Sequence, residues 1–577
     1  MHIATRSFDL SGCDFSAQLD PLLQRIYSSR GISSQQQLAR QLKDLPQPSL
    51  MAGISAASER LVSAIYQQQS VLIVGDFDAD GATSSALMVL ALKAMGLKRV
   101  DFLVPNRFDY GYGLTPEIVD LATAKSPHLI ITVDNGISSI EGVAHANQLG
   151  IEVIVTDHHL PGAVLPDAVA IVNPNQSGCE FPTKNLAGVG VAFYLLCAVR
   201  AALRERQWFA EQQIAEPDMS QWLDLVALGT VADVVPLDQV NRILVHQGIM
   251  RIRAGQSRPG IQALLRIAGK NMRSLVASDL GFALGPRLNA AGRLDDISLG
   301  IQCLLCDDPQ QALRAAQALD DLNQDRKHIE AGMQREALTI VDQLSMDDED
   351  IPVALCLFQP DWHQGVVGLL ASRIKEQYYR PVAAFARGDN GQLKGSLRSV
   401  PGLHIRDALD AVATQNPGLI SKFGGHAMAA GLTLQEARLK EFEQAFQRQV
   451  AQSLSDDELQ AKLITDGSLS AQQLAMPTAQ LLRDGGPWGQ QFPEPSFTGN
   501  FVIVQQRIVG ENHLKMSLAP QDQPDQVIDA IWFNIDTAAW PNSLLTDVNC
   551  VYKLDINEFR GLEKVQLLIQ HMQPLPN

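Results

Sequence analysis

Three short clusters of the 577-residue chain carry side chains suited to holding divalent cations. They are Asp76, Asp78 and Asp80 within Gly75-Asp-Phe-Asp-Ala-Asp-Gly81, Asp134 in Asp134-Asn-Gly, and the triplet Asp157-His158-His159. Three aspartates in five residues repel one another in any pocket lacking positive charge, and a divalent cation relieves that repulsion. With Asp233 of Val231-Ala-Asp-Val-Val, the set offers oxygen and imidazole ligands for two ions, provided one carboxylate bridges them. Carboxylates with one or two imidazoles suit Mn2+ or Mg2+, the imidazole tilting the choice toward Mn2+, whereas structural zinc calls for thiolates. Paired ions about 3.5–4 Å apart clamp the attacking and leaving oxygens in phosphoester hydrolysis. The expected chemistry is therefore that of a metal-dependent phosphoesterase, in which Asp80→Ala or Asp134→Ala abolishes hydrolysis and leaves the fold intact. A single Asp-x-Asp loop is often only a solvated turn; three such clusters at successive strand ends argue for a site.

Those strand ends follow from the pattern between residues 71 and 172, where short apolar runs alternate with helix-length segments. Strands are expected at 71–75, 100–104, 129–133, 153–155 and 168–172, with helices at 81–96, 116–125 and 138–149 between them. Their near-continuous Val, Ile and Leu content fits a parallel sheet buried on both faces, hence a doubly wound α/β domain. In such a sheet the carboxyl ends converge on one crevice, which brings residues 76–80, 134 and 157–159 together. A mostly helical stretch follows over 186–344, and Asp308-Pro309 opens a helix that connects domains. The acidic run at 347–350 reads as a solvated linker. A second, smaller α/β segment starts at residue 351, and alternating runs at 499–504, 514–518, 527–533, 550–556 and 564–568 suggest a five-stranded β-domain of OB type. The resulting division is an N-terminal segment (1–69), a catalytic domain (70–305), a connecting helix and linker (306–350), a substrate-binding domain (351–455) and an OB-like domain (456–577).

Composition narrows the partners. The formal net charge is −17, which argues against coating nucleic acid along the whole surface. Residues 351–450 alone hold 11 Lys and Arg against 8 Asp and Glu, so the basic excess sits in one module, where phosphates are to be sought. Seven scattered cysteines suit a reducing compartment and a cytoplasmic address. The first residues show neither a secretory nor a transit pattern, and the longest apolar stretch falls short of the ~18 residues that span a bilayer. No GxxxxGK[ST] loop or dinucleotide fingerprint occurs, and Cys303-x-x-Cys306 has no second pair at zinc spacing.

Asp78-x-Asp80, Asp134-Asn135, Asp157-His158-His159 and Asp233 resemble the four signature motifs of the DHH phosphoesterase superfamily. Gly285-Pro-Arg-Leu-Asn-Ala-Ala-Gly-Arg293, Gly395-Ser-Leu-Arg-Ser399 and Gly424-Gly-His-Ala-Met-Ala-Ala-Gly431 are similar to motifs of its DHH/DHHA1 branch that degrades single-stranded DNA in bacteria. One position departs: some members carry histidine four residues before the first motif aspartate, and here it is Val74, so Asp76 stands either as a substitute ligand or as a group behind the ligands. The resemblance implies that Asp78, Asp80, Asp134, His158 and Asp233 ligate the metals, with Asp134 the bridge and His159 facing the substrate phosphate. It also implies single-stranded DNA as substrate, entered from a 5′ end and released as 5′-mononucleotides in recombination and repair.

Arg398, beside Ser396 in a glycine-flanked segment, suits a terminal phosphate on chemical grounds, the alternative being a hairpin arginine exposed to water. The resemblance favours a 5′-phosphate pocket with Arg107 as partner. It further implies that His426 touches substrate and that Arg287, Asn289 and Arg293 lie near the scissile phosphate; Arg373 is a further candidate contact. Single-strand selection is expected from a channel too narrow for a duplex. Trp488, Phe492, Phe497, Phe501 and Trp532 are candidate stacking aromatics, most of them expected in the core. The OB-like domain is expected to retain the strand, so that truncation near Ser453 spares cleavage of very short oligomers. A single-stranded-DNA-binding protein and a helicase are the implied partners of a monomer. Two other functions share these motifs: a phosphodiesterase of oligoribonucleotides or cyclic dinucleotides, which would not need the added β-domain, and an inactive single-strand-binding scaffold, which would be expected to lose ligands.

Overall fold

The computed structural model describes residues 2–104, 110–348, 351–455, 457–537, 540–542, 545–559 and 561–575. After a short strand, β1 (His2–Thr5), the apolar runs form β2 (Val71–Gly75), β3 (Val100–Leu103), β4 (Leu129–Val133), β5 (Glu152–Thr156) and β6 (Ala170–Val172). All five expected strands are present, two with the expected bounds and three with ends shifted by one or two residues. They pair in parallel in the order β3-β2-β4-β5-β6. Every residue of β2 and β4 is buried, as strands covered by helices on both faces must be. The chain leaves β2 for a neighbour on one side and then returns to β4 on the other. The crevice at this reversal is where ligands bind in open α/β sheets.

By compactness the chain forms two units, one of Thr5–Asp320 with Ile464–Asn577 and one of Met1–Ala4 with Asp321–Leu463. The first therefore holds both the parallel sheet and the C-terminal β-domain. Strands β13 (Phe497–Val509), β14 (His513–Pro520), β15 (Ile528–Trp532), β16 (Asp547–Phe559) and β17 (Leu562–Pro574) close into a barrel in the order β13-β14-β15-β17-β16, the OB architecture expected. Phe497, Phe501 and Phe492 are fully buried, so these three candidate aromatics are core residues and cannot stack bases. Trp488 stacks on Phe492 and donates to the Leu482 carbonyl at 2.8 Å, and Trp532 is half-buried against Trp540. Phe533, which the pattern did not single out, follows Trp532 in the chain and is exposed, its ring against His513.

The N-terminal segment is fastened to the chain just before the barrel. Arg30 makes a two-pronged pair with Asp466 at 2.8 and 3.0 Å, their side chains 1% and 4% exposed. Tyr27 donates to the Gly485 carbonyl and packs on Trp488 and Phe492.

In the second unit, β7 (Leu355–Phe358), β8 (Val382–Arg387), β9 (Gln392–Arg398), β10 (Lys422–Gly425) and β11 (Ala429–Gln435) form a sheet in the order β10-β11-β9-β8-β7, parallel only between β7 and β8. Phe385, Phe442 and Phe446 anchor its core, and β12 (Lys462–Thr465) pairs with β1. The connecting helix runs unbroken over Pro309–Asp348, so Asp347 and Asp348 belong to its last turn rather than to a linker. Acidic residues at a helix carboxyl end oppose the macrodipole, which suits a terminus there. Among the described residues no helix is long and apolar enough to cross a membrane.

Candidate active site

Adjacent strands β2, β4 and β5 place their following loops side by side, and Asp233 joins them from the end of the Leu223–Ala232 helix. Asp78 caps the Ala79–Ala94 helix, accepting from the amides of Asp80 at 2.9 Å and Gly81 at 3.1 Å. Gly81 is required because a Cβ there would lie 2.3 Å from the Asp76 carbonyl oxygen. Asp80 is buried and accepts from Gly188 N at 2.6 Å and Val189 N at 2.9 Å, the first amides of the Gly188–Glu205 helix. Asn135 ties the strands together by donating to the carbonyls of Val74 and Val133. Asp134 (φ 61°) and Val234 (φ 63°) adopt the left-handed region, which non-glycine side chains enter at a cost, and both flank the carboxylate cluster.

The side chains converge in groups whose ligand atoms lie within 4.8 Å of one another: Asp76 with Asp78 and Asp134, Asp80 with His158 and Asp233, and Asp134 with His158 and His159. Asp134 thus belongs to the first and third groups, and His158 links the second and third. Val74 is buried in the sheet core, and Asp76 reaches the cluster in its place. His158 Nε2 stands 3.1 Å from Asp134 Oδ1 and 3.5 Å from Asp233 Oδ2. Among the described residues these three buried atoms find no hydrogen-bond partner. Unpaired buried acceptors converging on one point fit a cation.

Electrostatics agree. Burial, followed by repulsion from Asp80 and Asp78, holds the Asp134 carboxyl well above its ordinary range. Burial and Asp233 push Asp80 up to about 7, and burial with Asp78 does the same for Asp233. Burial and the neighbouring His159 depress His158, keeping it neutral as a ligand must be. His159 behaves oppositely: burial opposes its charge, but the bond from its Nδ1 to Asp157 at 2.7 Å outweighs this and raises it to about 9. It is an imidazolium at neutral pH.

One role and one residue go beyond the sequence pattern, which groups Asp157 with the cation-holding clusters and does not single out Tyr112. Asp157 accepts from the amides of His158, His159 and Ile137 and from the His159 ring, so its carboxylate is used up in orienting the histidines. Its place directly before the two histidines is the signal that could have revealed this role. Tyr112 donates to the Asp134 carbonyl and lies 3.3 Å from His159 Nδ1, at a place no motif marks. Asp157→Asn turns one of those acceptors into an amide donor facing backbone N–H groups. Partners of this kind typically matter by roughly 10–100-fold, and that loss of kcat is expected, with the structure checked by circular dichroism.

The remaining predicted residues divide. Arg107 lies outside the described residues. Asn289 is a structural anchor, its Oδ1 accepting from Ala79 N at 2.7 Å and so fixing the Asp78 loop. Arg287 is half-buried and engaged with Asp320 at 2.8 Å and the Ala283 carbonyl at 2.6 Å, a tie within the fold. Arg293 stands in the last turn of the Gly285–Leu294 helix.

The second unit holds the others. Arg398 is not the exposed hairpin arginine of the alternative reading. Its Nε donates to Ser372 Oγ at 3.1 Å, its Nη1 donates to the Leu397 carbonyl, and burial lowers its pKa. A Cβ on Gly368 would lie 3.0 Å from Arg398 Nη2 and 3.2 Å from Ser396 Oγ, so the start of the Val367–Tyr378 helix, Ser396 and the guanidinium share one spot. His426 is exposed at the β10–β11 turn, and Arg373 is half-exposed on the same helix as Gly368.

Residues 70–230 match the DHH family, N-terminal domain; 350–452 match the DHHA1 domain; and 465–571 match the RecJ OB domain. The chain is 56% identical over 562 residues to the single-stranded-DNA-specific exonuclease RecJ of Escherichia coli, covering 97% of each. It is 52% identical over 557 residues to that of Haemophilus influenzae, covering 96% of each. Crystal structures of RecJ from Thermus thermophilus match the whole chain and about four-fifths of their own. The Mn2+ complex has a TM-score of 0.80 at 27% identity and covers 80% of that chain; the Mg2+ complex has 0.74 at 26% and covers 79%.

Proposed function

Because the chain belongs to the RecJ family of single-stranded-DNA-specific exonucleases, we propose that it hydrolyses single-stranded DNA from the 5′ end, releasing 5′-mononucleotides, with two Mn2+ or Mg2+ ions. The observation that carries the reading is the convergence of Asp134 Oδ1, His158 Nε2 and Asp233 Oδ2, buried and unbonded, between two groups of carboxylates. Asp76, Asp78 and Asp134 would hold one ion; Asp80, His158 and Asp233 the other, with Asp134 between them. Such ions, when bound, lower the pKa of water and neutralise charge building on the phosphodiester oxygens.

The chain's own groups do the rest. His159, charged and steered by Asp157, offers its imidazolium to a phosphate oxygen. Asp80, held by two helix amides, fixes its ligand atoms before any ion arrives. Arg293 is a second candidate contact to the strand. In the other unit, Ser396, Arg398 and the helix amides near Gly368 receive the 5′-terminal phosphate, with Arg107, Arg373 and His426 as further candidate contacts; gripping that end is what would set polarity. The OB barrel suits strand retention. No observation favours an oligoribonucleotide or cyclic-dinucleotide phosphodiesterase, and the ligands expected to be lost in an inactive scaffold are present apart from the position that Val74 occupies. The family resemblance also supports a monomer working in the cytoplasm with a single-stranded-DNA-binding protein and a helicase; the seven free thiols accord with that compartment.

The deciding experiment is digestion of matched DNA and RNA oligomers, labelled at either end, with Mn2+ or Mg2+ added to metal-free enzyme. The expected result is metal-dependent release of mononucleotides from the 5′ end of DNA only; release from the 3′ end, or cleavage of RNA at the DNA rate, overturns it. Within that assay Arg398→Ala should raise KM about tenfold on 5′-phosphorylated strands and far less on 5′-hydroxyl ones. Equal changes on both would make Arg398 a structural residue.

A further inference from the structure

The second unit contains a buried polar chain that the metal chemistry does not use. On the Pro309–Asp348 helix, Asn323, Arg326 and Glu330 are 1%, 8% and 7% exposed. Arg326 donates to Asn323 Oδ1 at 2.9 Å and to Glu330 Oε2 at 2.7 Å. The other Glu330 oxygen, Oε1, accepts from Arg373 Nε at 2.9 Å, across to the Val367–Tyr378 helix. Glu330 therefore spends one oxygen on its own helix and one on its neighbour.

That neighbour also carries the phosphate pocket's inner wall. Ser372, the residue before Arg373, accepts from Arg398 Nε, and Gly368, one turn earlier, lies against Arg398 Nη2 and Ser396 Oγ. The same long helix secures the approach to this wall a second time, through Glu336, whose Oε2 accepts from Trp362 Nε1 at 2.8 Å. A buried ion pair adds little stability over apolar side chains of similar volume, and the long helix already buries Met333, Ala337 and Val341 at nearby turns. Stability thus gives no reason for a bridging carboxylate here, whereas direction does: an apolar contact tolerates sliding, and a two-sided charged bond does not.

We infer that Glu330 is a positioning residue for the 5′-phosphate site: by bridging Arg326 and Arg373 it fixes the rotation and height of the helix that presses Gly368 and Ser372 against Arg398. This rests on the pocket reading given above. A helix moves as a body, so loosening Arg373 displaces Gly368 and Ser372 together.

The test measures kcat and KM of the full-length enzyme on 5′-phosphorylated and 5′-hydroxyl oligodeoxynucleotides for Glu330→Gln, Glu330→Asp and the double variant Arg326→Met/Glu330→Met, with Arg398→Ala alongside. Glu330→Gln should raise KM about five- to tenfold on the phosphorylated strand alone, with kcat within about twofold; Glu330→Asp should recover part of this. The double variant removes both buried charges and leaves only Asn323 Oδ1 without its donor, so it should melt no lower than Glu330→Gln while still losing phosphate preference. A merely structural glutamate would lower the active fraction, hence apparent kcat, on both substrates and leave KM alone. If Arg398→Ala loses phosphate preference and the folded Glu330 variants keep it, the inference is wrong and the pocket stands. If Arg398→Ala keeps its preference, the pocket reading falls and takes the inference with it.

Discussion

Asp134→Asn should abolish hydrolysis, with kcat down at least about 10³-fold, corresponding to ~4 kcal/mol of lost transition-state stabilisation, and yet raise the melting temperature of the metal-free protein. The carboxyl of Asp134 titrates well above its ordinary value because burial and the charges of Asp80 and Asp78 disfavour ionisation. A carboxyl raised in this way contributes stability at low pH that is lost as the pH rises toward neutrality. Removing its charge at pH 7 removes that penalty, and a gain of roughly 2–4 °C is expected for each kcal/mol recovered. Added Mn2+ should reverse the ranking, since only the wild type gains the full stabilisation of bound ions. Calorimetry with and without Mn2+ checks both halves. A variant that melts lower than wild type in chelator would show that Asp134 is held by attraction rather than by repulsion. Asp80 differs from the sequence-based expectation that removing either aspartate abolishes hydrolysis yet leaves the fold intact. It accepts two amides at a helix start, so Asp80→Ala leaves Gly188 N and Val189 N without acceptors and should destabilise the fold as well.

The second large effect concerns the barrel. Cutting the chain near Ser453 should not leave a working core for short oligomers; it should yield an aggregating protein with no measurable cleavage. The segment removed shares one compact unit with the parallel sheet. Its loss strips Arg30 of Asp466, the Pro493 carbonyl and the Trp488 ring together, exposing a face of the N-terminal segment that is packed in the intact chain. Tyr27 loses both Trp488 and Phe492, and Leu237 N loses the Gln490 carbonyl. Size-exclusion chromatography and circular dichroism of the truncated chain decide the matter: a monodisperse, native-like product that cleaves tetranucleotides would contradict this account. To isolate strand retention, substitution of the exposed Phe533 on the intact barrel is the better tool.

How much of this could be read in advance differs from residue to residue. The sheet was legible because strands buried on both faces must be continuously apolar, and the carboxylate clusters were legible because parallel strands point all their carboxyl ends one way. Their convergence needed no long-range information beyond that rule. Asp157 was hidden because a carboxylate that orients a ligand looks, in sequence, like one that is a ligand. Asn289 and Arg287 sit in a motif suited to phosphates, yet face Ala79 N and Asp320, and nothing local reports which way a helical side chain turns. The Arg30–Asp466 pair joins residues 436 positions apart and has no local signature at all. Asp347 and Asp348 read as linker because charge marks solvent exposure without telling the last turn of a helix from the loop that follows it.

The compact unit that carries the metal site is discontinuous in the chain, and this has a consequence for biosynthesis. A ribosome that has finished Asp320 must still make the whole of Asp321–Leu463 before Ile464 emerges. At about 5–20 residues per second, a wait of roughly 7–30 s separates the catalytic half from the segment that completes it. Through that interval the nascent chain displays Tyr27 and Arg30 with part of their packing unmade, while the intervening unit gains its last residue, Leu463, before Ile464 emerges and so can fold ahead of the unit that brackets it. The middle of the chain can thus mature before the two stretches that bracket it, and the catalytic unit closes only after the barrel strands have left the exit tunnel.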